Sequence, residues 1–140
     1  MAMGTVEPVS ILLIDPNETD RQYYSQRLTV SSPDYQIFEA TNGQTGLRLY
    51  QSCSIDCVVL ELALPDMSGF EILVKLVPIA HHPEIAVIVL THLPNAVLLD
   101  LALKNGAMAG LYKPRTSGDI LNETVLKAVS KVQRDRKKVQ

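Results

Sequence analysis

An α/β fold built on a parallel sheet is the class this sequence predicts, and three observations carry it. Short apolar, β-branched runs alternate five times with longer amphipathic segments, which is the pattern of successive strand–helix units. Three of the runs are apolar without interruption, as strands covered on both faces must be. At 140 residues, with 46% hydrophobic and 20% charged composition, the chain fits one domain with a sizeable core and leaves no room for a second.

The strands are expected at Ser10 to Asp15, Tyr35 to Ala40, Asp56 to Leu62, Ile85 to Thr91 and Ala109 to Lys113. Helices are expected between them at Glu18 to Val30, Gly43 to Ser52, Ser68 to Val77, Asn95 to Asn105, and from Ser117 onward. Stop signals support three of these: Ser31-Ser32-Pro33 after the first helix, Pro78 after the third, and Asn105-Gly106, a left-handed cap, after the fourth. The sequence shows no internal repeat, low-complexity tract or linker before about Lys131.

Composition narrows the function classes. Thirteen basic against fifteen acidic residues give a formal charge of −2, which offers no general attraction for nucleic acid or an anionic membrane. No apolar stretch spans a bilayer and the N-terminus lacks the pattern of a secretory signal, so a cytoplasmic location is expected. Cys53 and Cys57 are too few for a disulfide scaffold and read as structural thiols.

In an open α/β sheet, ligands bind outside the carboxyl ends of the strands, so the residues found there carry the functional reading. "CVVLELALPDMSGFEIL" delivers one carboxylate, Glu61, at the end of an otherwise apolar run. A buried charge without a partner is costly, so Glu61 marks a strand end that opens onto a polar site. Asp15 ends the first strand, Thr91 the fourth, and Lys113-Pro114 the fifth. Two carboxylates, a hydroxyl and an ammonium at one rim suit a divalent cation beside a phosphoryl group. Blander roles remain open. Asp15 could cap the first helix, a task Asn17 or Asp20 could share, Thr91 could cap the fourth, and Lys113 could be a snorkelling surface residue. Glu61 could be a solvated acid. His81 and His82 read as solvated loop residues, and at most one of Tyr23 and Tyr24 can face inward from a helix.

The stretches "ILLID", "DCVVLELALPDMSGFEIL", "IAVIVLTH" and "NGAMAGLYKP", in this order and spacing, resemble the receiver domain of two-component response regulators from Ser10 to about Val132. The resemblance implies a CheY-like (flavodoxin-like), doubly wound five-stranded sheet in the order 2-1-3-4-5 flanked by five helices. It also implies signalling through phosphorylation of an aspartate after the third strand, and a cis peptide before Pro114 that orients Lys113. Thr91 and Lys113 match the family's pattern, and three positions depart from it. Glu61 stands at the phosphoacceptor position. Pro16 replaces the second of two paired acids after strand one, and Gly110 replaces an aromatic residue whose rotation reports phosphorylation.

Each departure has a chemical consequence. The extra methylene of glutamate displaces the nucleophilic oxygen by roughly a bond length, and in-line transfer is sensitive to misplacement on the order of 1 Å. Without an acid at Pro16, a magnesium site would rest on Asp15, Glu61 and a backbone carbonyl near Ala63, and is expected to be weak or absent. Glu61 could instead pair with Lys113 and imitate part of a phosphoryl charge.

The expected function is therefore a phosphorylation-independent protein-interaction module in two-component signalling, belonging to a longer chain such as a hybrid histidine kinase or multidomain response regulator. Its partner would be a histidine kinase or an output domain, with no nucleic acid and no membrane. The alternative is a working phosphorelay receiver, phosphorylated by a histidine kinase, whose only catalysis is weak autodephosphorylation. A flavodoxin-like electron carrier is disfavoured by the acidic "DPNETD" after strand one, and a small phosphohydrolase by the lack of a second acid two residues after Asp15.

The domain is expected over residues 10–132, with an extension at 1–9 and a basic tail or start of a linker at 133–140. From Leu121 to the end, Leu121, Val125, Ala128, Val132 and Val139 follow a faint heptad if Asp135 takes one seam position, so beyond Lys131 a solvated end, a helical linker and a homodimer contact all stay open.

Overall fold

The structure, a computed structural model, describes residues 8–139. Of the extension expected at 1–9, residues 1–7 therefore lie outside the described residues, as does Gln140 of the C-terminal segment. Five strands form one parallel sheet: β1 (Ser10–Ile14), β2 (Gln36–Ala40), β3 (Cys57–Leu60), β4 (Ala86–Thr91) and β5 (Ala109–Tyr112), in the order β2-β1-β3-β4-β5. The helices are α1 (Glu18–Ser31), α2 (Gly43–Ser52), α3 (Gly69–Leu76), α4 (Ala96–Lys104) and α5 (Gly118–Val139). Both the sheet order and the five flanking helices agree with the sequence reading.

The continuous apolar character of β1, β3 and β4 follows from burial on two faces. On one side Ile11, Leu13, Val59, Ile88 and Leu90 pack with Tyr24 and Leu28 of α1 and with Leu121 and Val125 of α5. On the other side Leu12, Ile14, Val58, Leu60, Val87 and Val89 pack with Ile72 and Leu73 of α3 and Ala102 of α4. Successive side chains on a strand point to opposite faces, so each of these strands feeds both clusters. Only Tyr24 of the two neighbouring tyrosines is buried, and its hydroxyl donates to the Thr116 carbonyl at 2.7 Å.

Helix ends obey local chemistry. Asn17, Asn42, Ser68 and Asn95 lie in extended backbone and accept from amides two or three residues on, capping α1 to α4. Gly106 takes φ +103 after α4, the left-handed conformation that glycine adopts without steric cost.

One expectation about the chain's later half changes. No cis peptide bond occurs among the described residues, so Lys113–Pro114 is trans. Lys113 instead opens a 3-10 turn, Lys113–Arg115, in which the Thr116 amide donates to the Lys113 carbonyl at 3.0 Å. Proline has no N–H for a strand ladder and fits the start of a helical turn, so β5 stops at Tyr112. The last helix, expected from Ser117 onward, runs unbroken to Val139 and so carries the basic segment after residue 132 as helix. Leu121, Val125, Ala128 and Val132 are buried against the sheet, whereas residues 136–138 are exposed.

Candidate functional site

The carboxyl ends of β1, β3, β4 and β5 meet at one rim, and the parallel pairing brings their last residues together: β1 pairs with β3 from Ile11↔Cys57 to Ile14↔Leu60, and β4 with β5 up to Thr91↔Tyr112. Each strand then releases one polar side chain into the gap between the helices. Asp15 and Glu61 sit one residue past β1 and β3, Thr91 ends β4, and Lys113 follows β5. All four residues expected from the sequence converge, and Asp15, Glu61 and Thr91 are buried.

Lys113 is the centre of the arrangement. Its ammonium nitrogen lies 2.7 Å from Asp15 Oδ2, 2.9 Å from Asp20 Oδ2 and 3.2 Å from Glu61 Oε1, and its side chain is only 7% exposed. It is therefore no snorkelling surface residue. Burial alone would lower its pKa, but hydrogen bonds to Asp15 and Asp20 and the field of Glu61 outweigh burial and hold the pKa above the ordinary lysine value.

Glu61 is anchored from both of its oxygens. Oε2 accepts from the backbone amides of Leu62 at 2.7 Å and Ala63 at 3.3 Å. Oε1 accepts from the His92 amide at 3.2 Å, faces Lys113, and lies 2.8 Å from His92 Nδ1, which donates in the tautomer that carries its proton there. Burial would raise the Glu61 pKa, but the Thr91 hydroxyl beside it, the His92 ring and amide, and Lys113 together bring it below the ordinary carboxylate value. A solvated strand-end acid would have none of these partners. Ala63 thus contributes its amide to Glu61, and its backbone also bridges Ser68.

Asp15 shifts in the opposite direction. Its Oδ1 accepts from the Asn17 amide at 2.9 Å and its Oδ2 meets Lys113, yet desolvation is the largest influence and raises its pKa. The cap of α1 is Asn17, which accepts from the Asp20 amide at 2.9 Å, so Asp15 is free to face the lysine. Thr91 likewise does not cap α4, a role taken by Asn95; its hydroxyl accepts from the Leu93 amide at 3.2 Å and fixes the turn that presents His92.

Pro16 is exposed beside the rim and carries no ligating side chain. At Gly110 an added Cβ would lie 3.2 Å from Leu99 Cδ2 and 3.3 Å from Leu99 Cβ. Leu99 of α4 therefore packs directly over the backbone at this position.

Sequence reasoning missed two side chains at the rim. Asp20 reads from the sequence only as a capping candidate, but it lies in the first turn of the helix that follows Asp15 and faces the same opening. His92 directly follows Thr91, and collecting the residue beyond each strand end would have found it. His81 and His82 are exposed and lie away from this rim in the loop before β4.

Comparisons with known proteins bear on the family and the fold. Residues 11–125 match the response regulator receiver domain family. The chain is 33% identical over 119 residues to the nitrate/nitrite response regulator protein NarL of Escherichia coli, covering 85% of this chain and 54% of that protein. It is 30% identical over 114 residues to a probable cyclic di-GMP phosphodiesterase of Vibrio cholerae, covering 81% of this chain and 25% of that protein. The chain thus spans about half of the first relative's length and a quarter of the second's. Among solved structures, the signal receiver domain of an HD domain-containing protein from Pseudomonas fluorescens superimposes with a TM-score of 0.82 at 27% identity, covering 98% of both chains.

Proposed function

The chain belongs to the response regulator receiver domain family, and from that premise we propose that it is an atypical receiver: a protein-interaction module of two-component signalling that works without being phosphorylated. The observation that carries this reading is the state of Glu61. Its side chain is 1% exposed and each of its oxygens already accepts from donors of the chain, Leu62 and Ala63 on one and His92 and Lys113 on the other. A nucleophilic carboxylate must present a free oxygen in line with the incoming phosphorus, and a carboxylate held this way has none to present.

Glu61 serves instead as an internal anchor. It holds Lys113 and the β4–α4 turn in one arrangement, as a permanent negative charge can without chemistry. Gly110, overlain by Leu99, removes the aromatic rotor by which the family reports phosphorylation, so the faces of the domain stay in one conformation. The partner is a histidine kinase or output domain, in the same chain or another, and it reads this fixed surface.

Intact-mass spectrometry of the domain with acetyl phosphate or phosphoramidate and magnesium is the test. No gain in mass is expected. A stoichiometric gain of one phosphoryl group mapped to Glu61 would favour the alternative, a working phosphorelay receiver with at most slow autodephosphorylation.

A further inference from the structure

Helices α2 and α3 leave a groove between them that the rim does not use. Helix α2 presents Gln44, Leu47, Arg48 and Gln51 to it, at spacings of three and four that place them on one face. Met67, in the loop before α3, and Lys75 of α3 form the opposite side, and the space between is an open groove of about 440 Å³. Leu47 and Met67, both half-buried, supply its apolar floor. A Cβ added at Gly43 would lie only 2.6 Å from Met67 Cγ, so the thioether chain rests directly against the α2 backbone.

Charge singles this groove out. Between Arg27 and Lys104 the sequence contains only two lysines or arginines, Arg48 and Lys75, and the fold brings both to the same groove from different helices. Arg21, Arg27 and Lys131 each meet a carboxylate of the chain. Arg48 and Lys75 meet none among the described residues. Among those residues one acid lines the groove, Asp66, and both of its oxygens are engaged: Oδ1 accepts from the Gly43 amide at 2.8 Å and Oδ2 from the Gln44 amide at 2.9 Å. Asp66 thus closes the N-terminal end of α2 and leaves both cations without a counter-charge.

We propose that the α2–α3 groove is a docking site for an acidic, extended segment of a partner protein. An apolar side chain of that segment lies on Leu47 and Met67, and carboxylates on either side of it meet Arg48 and Lys75. The Gln44 and Gln51 carboxamides, each able to donate and accept, bond its backbone. Methionine adapts its shape to whatever side chain is laid on it. The groove is open along its length and would leave a compact small molecule largely in water, so a chain segment suits it better. Two cations on a chain of formal charge −2 are too few to hold a nucleic-acid backbone. This assignment deepens the proposed function by naming a surface that the partner reads, and it rests on that reading only in taking the partner to be a protein.

The experiment selects binders to the wild-type domain from a random-peptide display library in buffer without phosphodonor, then measures them by fluorescence anisotropy and 15N–1H shift mapping. Peptides that map to Gln44, Leu47, Arg48 and Gln51 should be enriched, with acids on both sides of an apolar residue. Arg48→Gln and Lys75→Gln, at exposed positions, should keep the wild-type melting temperature and each weaken binding by about two- to fivefold. Lys137→Glu, exposed near the end of α5, should leave the affinity unchanged. The double reversal Arg48→Glu with Lys75→Glu should release the acidic peptides and, in a repeated selection, enrich basic ones at the same groove, an outcome that misfolding cannot produce. The docking site is overturned if no enriched peptide maps to the groove, if those that do carry no acids, or if the double reversal retains them. A phosphoryl gain at Glu61 in the mass experiment would overturn the proposed function and leave this assignment standing.

Discussion

Replacing Glu61 by glutamine keeps the shape of the side chain and removes its charge, and the geometry indicates how much that should matter. The carboxylate accepts from two backbone amides on one oxygen and from an amide, the His92 ring and Lys113 on the other. A glutamine can satisfy only one of these two groups with its carbonyl. Whichever way the amide turns, its NH2 faces donors in a site that water barely reaches. Lys113 also loses one of three counter-charges. Breaking a buried ion pair from one side costs about 3–5 kcal/mol, and for a domain of this size that lowers the melting temperature by about 10–15 °C.

The pH dependence supplies a sharper criterion. The Glu61 pKa is depressed below its ordinary 4.5, so the ionised group contributes stability that is complete above pH 4.5 and is lost as pH falls through the folded value. The deficit of Glu61→Gln should therefore be full at neutral pH and shrink in acid. Asp15 is the internal control, because its pKa is raised above 3.8, chiefly by burial. Its contribution is complete below pH 3.8 and lost as pH rises through the folded value, so the Asp15→Asn deficit should shrink as pH rises, opposite to that of Glu61→Gln. Urea denaturation of both variants between acid and neutral pH measures the difference. A Glu61→Gln deficit under about 1 kcal/mol at neutral pH, or one that does not shrink in acid, would refute the assignment of Glu61 as the anchor.

Other substitutions probe the remaining departures. Glu61→Asp alone should restore little acyl-phosphate formation and Pro16→Asp alone none, whereas the double variant should restore more than the two singles together, read by intact mass, because nucleophile and acid share one site. Gly110→Tyr should destabilise the domain by about 1–3 kcal/mol through collision with Leu99, and Leu99→Ala in the same chain should relieve part of that loss in a denaturation series. Asp66 accepts from the Gly43 and Gln44 amides at the start of α2, so Asp66→Ala should loosen the first turn of that helix, seen as faster amide exchange in residues 43–46.

The strands were legible because β1, β3 and β4 are buried on both faces and so carry unbroken apolar runs. Helix ends were legible because asparagine, serine, glycine and proline act within a few residues of their own positions. Helix α2 begins and ends where its pattern places it, and the others shift by one or two residues where a cap stands just outside the helix. The rim was legible as a set of strand ends, but its bonding was not. Lys113 and Asp20 are 93 residues apart and His92 and Glu61 are 31 apart, and no local pattern specifies which of several polar groups will meet across such distances. The peptide before Pro114 also lay beyond local reasoning, since its expected geometry came from resemblance alone.

The central claim is that Glu61 and Lys113 hold the rim in one state that small phosphodonors do not change. The most direct measurement is a 15N–1H correlation spectrum of the wild-type domain recorded before and after adding acetyl phosphate with magnesium. The amides of Leu62, Ala63 and His92, which donate to Glu61, should keep their positions. Saturable movement of those three resonances, with Thr91 and Lys113 moving in step, would contradict the claim.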